Sequence, residues 1–367
     1  MKKVLLFVLT LSFVIILAAC GTRSYEIAMI TDAGDIDDES FNQGTWEGIV
    51  EFADDRGISH EYYRPEEISD AAYLNAISLA IDGGAEIIVT PGFLFEVAIY
   101  EAQDMYPDVK FILIDGQPND GDWGAEGGPD FHTADNTVSI FFEEEESGFL
   151  AGYAAVKDGF ADLGFMGGMA VPAVVRFGVG YVAGAYYAAN EEGININFPD
   201  NRYVYLGDFD PSDTHRAEAE GWYNAGTDII FAAAGGAGSS VMRAAEDSDN
   251  WMIGVDIDQG TQSSAVLTSA MKALAVAVQT VLADHYDDDA FPGGEVLNLG
   301  AAEDGVGLPT ADDSWRFSDF TIEDYETIFD LIASGAIVVP SNYSELDSFM
   351  SEHDLGEFDI EEGTIEP

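Results

Sequence analysis

Two aspartates close two matching apolar runs: Asp115 ends KFILID and Asp256 ends WMIGVD. A carboxylate after an apolar strand stands at the edge where loops meet ligands, and there it can accept two hydrogen bonds from neighbouring hydroxyls of a sugar. A single aspartate of this kind more often just turns the chain. Its recurrence at equivalent places in two halves favours a site. Lys272, in VLTSAMKALAVAVQ, is the complementary donor. Only Lys110, Lys157 and Lys272 follow the first twenty residues. A lysine among apolar neighbours is therefore read as donating to a ligand oxygen or balancing an aspartate, against the alternative of a stem lying over apolar surface with its ammonium in water.

Planar ring faces are the third ingredient, because stacking on a flat ligand adds about 1 kcal/mol beyond burial. Phe41 opens a helix at one edge and Phe209 follows RYVYLGDF at the corresponding edge of the second half, while Phe177 in VVRFGVGYVAGA is the reserve. Asn42, in the first turn after Phe41, offers an amide. The run AAAGGAGSSVMRAA passes a strand through Gly235, Gly236 and Gly238 into a helix, so a ligand can approach backbone amides there. It lacks the lysine and the spacing of a phosphate loop.

The elements that must carry these residues alternate. Strands are expected near Glu26 to Thr31, His60 to Arg64, Glu86 to Thr90 and Lys110 to Asp115, and again near Leu163 to Gly167, Arg202 to Leu206, Asp228 to Ala232 and Trp251 to Asp256, with helices between. Asp32 to Glu39 reads as a loop with Ser40 as N-cap of the next helix. DGGAEIIVTPG parallels NAGTDIIFAAAGG, and YPDVKFILIDG parallels DNWMIGVDID, at an offset of about 140 positions, too long for a solenoid. The pattern predicts an α/β protein of two doubly wound, Rossmann-like parallel-sheet lobes facing one another across a hinge.

The expected division is a first lobe over 21–142 plus about 266–310, a second over 143–265 plus about 311–350, and an acidic, loosely ordered tail over 351–367. An acidic helix from near Glu143 is expected to cross between lobes. Ser269 to His285 reads as helical, Glu323 to Pro340 as a helix and strand, and Gly116 to Thr133 as an exposed excursion.

Residues 1–20 are read as a targeting segment: Lys2 and Lys3, the apolar Val4 to Leu17, then Leu17-Ala18-Ala19-Cys20. That end resembles a lipobox, which implies cleavage before Cys20 and lipid on its sulfur, anchoring the protein at the extracytoplasmic face of the cell membrane. Cys20 is the only cysteine, so no disulfide forms within the chain. A hydrophobic content of 47% fills two cores, and a net charge of −56 excludes a general binder of nucleic acid or of anionic membranes, which need clustered Lys and Arg. So acidic a surface suits high salt, where screening weakens self-repulsion.

GDIDDESFNQGTWEG, ESGFLAGYAA, GGMAVPAVVRFGVGYVAGA, AAAGGAGSS, GVDIDQ and VLTSAMK, in this order, resemble the basic-membrane-protein family, the nucleoside-binding lipoproteins of bacterial ABC importers. The resemblance covers nearly the whole mature chain. It implies a type I periplasmic-binding-protein fold holding a nucleoside, expected to be a purine one, between its lobes. By motif match it places ligand contacts at Asp32, Phe41, Asn42, Asp115, Phe209, Gly236, Asp256 and Lys272, with aspartates and lysine on the ribose and rings on the base. It implies an ABC permease as partner, a monomer, no cofactor and no catalysis.

Other readings were weighed on the residues. Asp35, Asp37 and Glu39 imitate a calcium loop, but its sixth and twelfth positions fall on Ser40 and Trp46 instead of Gly and Glu. Asp256 and Asp258 form a DxD without the basic cluster a sugar diphosphate needs. The histidines, His60, His132, His215, His285 and His353, fall in no catalytic pairing, and GxSxG and HExxH are absent. A receptor of the same fold for a sugar or another small metabolite stays open, as does a nucleoside hydrolase, because the same aspartates would serve.

Overall fold

The computed structural model describes residues 25–32, 34–356 and 358. The targeting segment, Cys20 and most of the acidic tail lie outside the described residues.

Two six-stranded sheets form two lobes. The first has the order β11-β5-β4-β3-β1-β2, all parallel, from β1 (Ile27–Ile30), β2 (His60–Tyr63), β3 (Ile87–Pro91), β4 (Lys110–Ile114), β5 (Thr137–Phe142) and β11 (Val296–Leu299). The second repeats it as β12-β10-β9-β8-β6-β7, from β6 (Leu163–Gly167), β7 (Tyr203–Tyr205), β8 (Ile229–Ala233), β9 (Trp251–Asp256), β10 (Val266–Lys272) and β12 (Val306–Gly307), with only β12 antiparallel. The central strands are apolar on both faces, as strands covered by helices on each side must be. The two lobes are thus the halves of one bilobed, periplasmic-binding-protein-like fold.

Helices α1 (Phe41–Arg56), α2 (Asp70–Asp82) and α3 (Glu96–Met105) belong to the first lobe; α4 (Glu144–Lys157), α5 (Pro172–Glu192), α6 (Asp213–Asn224) and α7 (Gly238–Ser248) to the second. Afterwards α8 (Leu274–Tyr286) packs on α1, while α9 (Ile322–Ala333) and α10 (Tyr343–Glu352) return to α4 and α5. The chain therefore crosses between lobes three times, at Glu143, Ala273 and Gly300. Three strands of hinge resist twisting and leave closure as the easy motion.

The largest helix contact is α4 on α5, and small residues permit it. A Cβ on Gly148 or Gly152 would collide with the carbonyls of Phe177 and Tyr181, and one on Gly180 or Gly184 with those of Glu145 and Phe149. Only glycines on both helices let the backbones approach so closely.

Several expectations are corrected. Residues 266–272 are not in the first lobe: β10 pairs with β9, so the return comes at Ala273, and 306–307 already lie in the second sheet. The run from Ser269 is not helical throughout, since its first four residues finish β10 and the helix starts at Leu274. The acidic helix begins after the crossing and lies in the second lobe, and no strand follows α9 before Pro340. Ser40 does not cap α1 with its side chain. Asp38 does so instead, accepting from the backbone N–H groups of Ser40, Asn42 and Gln43 at 2.9–3.0 Å.

Candidate functional site

Asp115, directly after β4, and Asp256, the last residue of β9, are held in the left-handed region at φ 56° and φ 65°. Non-glycine residues pay for such a backbone unless the surroundings fix it, and here both turns aim a carboxylate into the gap between lobes. Lys272, the last residue of β10, fills the space between them. Its Nζ donates to Asp115 Oδ2 at 2.6 Å and lies 3.4 Å from Asp256 Oδ1, 3.5 Å from Glu144 Oε1 and 4.3 Å from the Phe41 ring centre. Burial alone would lower the Lys272 pKa, but Asp115, Asp256 and Glu144 outweigh it and raise it, so the ammonium stays charged.

Glu144 stands in the first turn of α4, fully buried, and takes Arg176 of α5 on Oε2 at 3.2 Å. Burial, then the charge of Asp115, pushes its carboxyl up to about 8 against the pull of Lys272 and Arg176. Asp115 Oδ1 is buried without a hydrogen-bond partner, an acceptor left open. Asp256 receives a first-lobe hydroxyl, Ser40 Oγ at 2.5 Å, so that serine ties the lobes together instead of capping its helix.

Asp32, Asp38 and Asn42 also line the cleft. Asn42 Nδ2 donates to Asp32 Oδ1 and Asp38 Oδ2 at 2.9 and 3.0 Å, leaving its own buried Oδ1 unpartnered. Burial raises both carboxyls, Asp38 to about 6, against the N–H groups that each accepts. Phe209 is pinned by its carbonyl, which accepts from Ala237 N–H at 2.8 Å, and its ring fills the space over Gly235 and Gly168.

All nine expected residues, Asp32, Phe41, Asn42, Asp115, Phe177, Phe209, Gly236, Asp256 and Lys272, line one cavity of about 780 Å³, its mouth included. Phe177 is 2% exposed and meets Phe231 edge-on, so it shows the cavity little more than its rim. Phe93 and Leu94, after β3, and Asp38 also line it and were not anticipated. Glu144 and Arg176 were missed as well. Their signal was a solitary arginine inside the apolar VVRFGVG, which needs a buried counter-ion, and a run of four glutamates in which one can turn inward. Among the described residues, no group of three or more His, Cys, Asp or Glu is arranged to hold a metal ion. Where three carboxyls converge, the ammonium already stands.

The profile of the family described as "ABC transporter substrate-binding protein PnrA-like" matches residues 25–343. The chain is 30% identical over 372 residues to a CD4+ T-cell-stimulating antigen of Listeria monocytogenes, covering 91% of this chain and 98% of that one. It is 28% identical over 377 residues to the ABC transporter nucleoside-binding protein BmpA of Lactococcus lactis subsp. cremoris, covering 93% and 100%. In fold it is similar to an ABC transporter solute-binding protein of Aeropyrum pernix K1, with a TM-score of 0.73 at 23% identity over 90% of this chain and 97% of that one.

Proposed function

Since the chain belongs to the PnrA-like substrate-binding proteins of ABC transporters, we propose that it captures a nucleoside, a purine one, between its lobes and delivers it to a membrane permease. The family is one of binding proteins, and the chain is not an enzyme. One observation carries the choice of ligand: the cleft combines carboxylates and a lysine with the ring faces of Phe41 and Phe209, a combination that suits a ribose joined to a flat base. The nucleoside-binding relative supports the same reading. Asp32, Asn42 and Gly236 serve as further contacts in it.

A ligand bridging both lobes favours their closed arrangement and so shifts the population toward it. The leader ending in Leu17-Ala18-Ala19-Cys20 supports a lipid anchor through Cys20 on the extracytoplasmic face, with the receptor working as a monomer. The test is a thermal-shift panel of inosine, guanosine, adenosine, the free bases and pentoses. A ligand that binds only the native state raises its unfolding temperature. Shifts with nucleosides and none with pentoses or bases are expected; shifts with pentoses alone would transfer the site to sugars.

A further inference from the structure

Around Lys272 Nζ stand three carboxyls, Asp115, Asp256 and Glu144, and behind them Arg176 adds a second cation. Asp115 and Asp256 line the cavity; Glu144 does not. We propose that Glu144 is a positioning residue of the cleft: its carboxyl carries the one proton that balances this buried ionic cluster, and through that proton it fixes how tightly the cleft holds a neutral ligand. The inference rests on the reading of the cleft as a nucleoside site.

The geometry decides which carboxyl holds the proton. Asp115 accepts from the ammonium at 2.6 Å and Asp256 from the Ser40 hydroxyl at 2.5 Å. Glu144 is wholly buried, and the hydrogen bond it accepts, from Arg176 at 3.2 Å, is longer than those that Asp115 and Asp256 accept. Two further carboxyls reach the cluster, Glu145 acting on Arg176 and Asp32 on Asp115. Glu145, next on α4, shares the pull of Arg176 but sits against Glu143 and, from α10, Glu345. With Glu144 neutral, two cations face two anions. With it ionised, one negative charge is left over in a space that ligand closure strips of water, where an unbalanced charge costs most. Glu144 thereby keeps Lys272 turned toward Asp115 and the cleft rather than backward into the helix pair.

The sign follows. The protonated form binds, so affinity falls as pH rises past about 8, the range to which burial and Asp115 push Glu144. Without ligand, a carboxyl raised in the folded state makes stability fall as pH climbs from the ordinary glutamate range toward about 8, and the loss is complete above it.

The experiment titrates adenosine, whose base stays uncharged across the range, into the full chain, Glu144→Gln and Glu145→Gln by calorimetry between pH 6.5 and 9.5. One proton linked to binding predicts about fivefold or greater weakening from pH 7.5 to 9.5 for the wild type and Glu145→Gln, and a flat profile for Glu144→Gln. A Glu144→Gln profile that falls like the wild type's overturns the assignment. Ligand-free melting of the same proteins gives the second readout. The wild type should lose ground to Glu144→Gln between pH 5 and 8, and a constant difference overturns the assignment even where adenosine fails to bind, which by itself would count against the nucleoside reading.

Discussion

Asp115 and Asp256, one from each lobe, face a single ammonium: Lys272 Nζ lies 2.6 Å from Asp115 Oδ2 and 3.4 Å from Asp256 Oδ1. The two residues stand at the ends of equivalent strands, Asp115 just after β4 and Asp256 closing β9, and share the left-handed backbone. The internal duplication therefore has a chemical use. It brings two acceptors to opposite sides of one cleft, with the lysine between them.

Replacing either aspartate by asparagine isolates the charge, because asparagine tolerates positive φ and keeps the turn. Asp256→Asn and Asp115→Asn should each weaken nucleoside binding by about tenfold to a hundredfold, the loss of a charge-assisted hydrogen bond of roughly 1.5–3 kcal/mol. Calorimetry measures it. Wild-type affinity in both variants would remove the pair from the site.

Charge also predicts what the cleft refuses. Asp32, Asp38, Asp115 and Asp256 line it against, among the described residues, a single lining cation, Lys272. A 5′-monophosphate would bring further negative charge into this enclosure without a partner for it. Nucleoside monophosphates should compete at least about a hundredfold more weakly than their nucleosides, a difference of roughly 2.7 kcal/mol that one uncompensated buried charge readily exceeds. Equal competition in an equilibrium displacement assay would show that the acidic lining does not select.

Much of this arrangement was legible because parallel strands are apolar runs bounded by loops, and the repeat marked their ends. KFILID and WMIGVD declared themselves in this way. β10 did not: VLTSAMK runs straight into ALAVAVQ with no glycine or proline to part strand from helix, so the lobe crossing at Ala273 stayed hidden. β5, TVSIFF, was passed over beside the long excursion that precedes it. Ser40 satisfied every local rule for a cap, yet Asp38 won that place and released the hydroxyl to Asp256. Glu144 was invisible for a like reason, since only the packing of α4 on α5 tells which of four consecutive glutamates turns inward.

That packing gives a stability test. Gly152→Ala or Gly180→Ala would drive a methyl into the carbonyl of Tyr181 or Glu145, backbone that cannot step aside. Overpacking of this kind costs about 1–3 kcal/mol where side chains yield, and more is expected against main chain. Gly221→Ala is the control. It lies in α6 with open space around the added methyl, and should be neutral or stabilising by up to about 1 kcal/mol. Denaturant midpoints that fail to separate the two classes would contradict the close approach of α4 and α5.

Closure itself is testable at Gln259, buried after β9 in the second lobe. Its Nε2 donates across the cleft to the carbonyl of Glu39 at 2.8 Å, while its Oε1 accepts from Val255 N–H at 3.2 Å within its own lobe. Gln262 reaches the same Glu39 carbonyl, more loosely, at 3.3 Å. These bonds exist only when the lobes are together; opened, each group turns to water. Gln259→Glu keeps the acceptor for Val255 but sets an oxygen against the Glu39 carbonyl, converting an attraction into a repulsion that the open state does not feel. The penalty should therefore fall on release. Dissociation of a bound nucleoside should accelerate by about tenfold or more, as loss of a buried hydrogen bond with an unpaired acceptor implies, while association changes little. Gln262→Ala should give a smaller effect in the same direction. Stopped-flow release rates that leave Gln259→Glu at the wild-type value would mean that the contact with Glu39 does not hold the lobes closed.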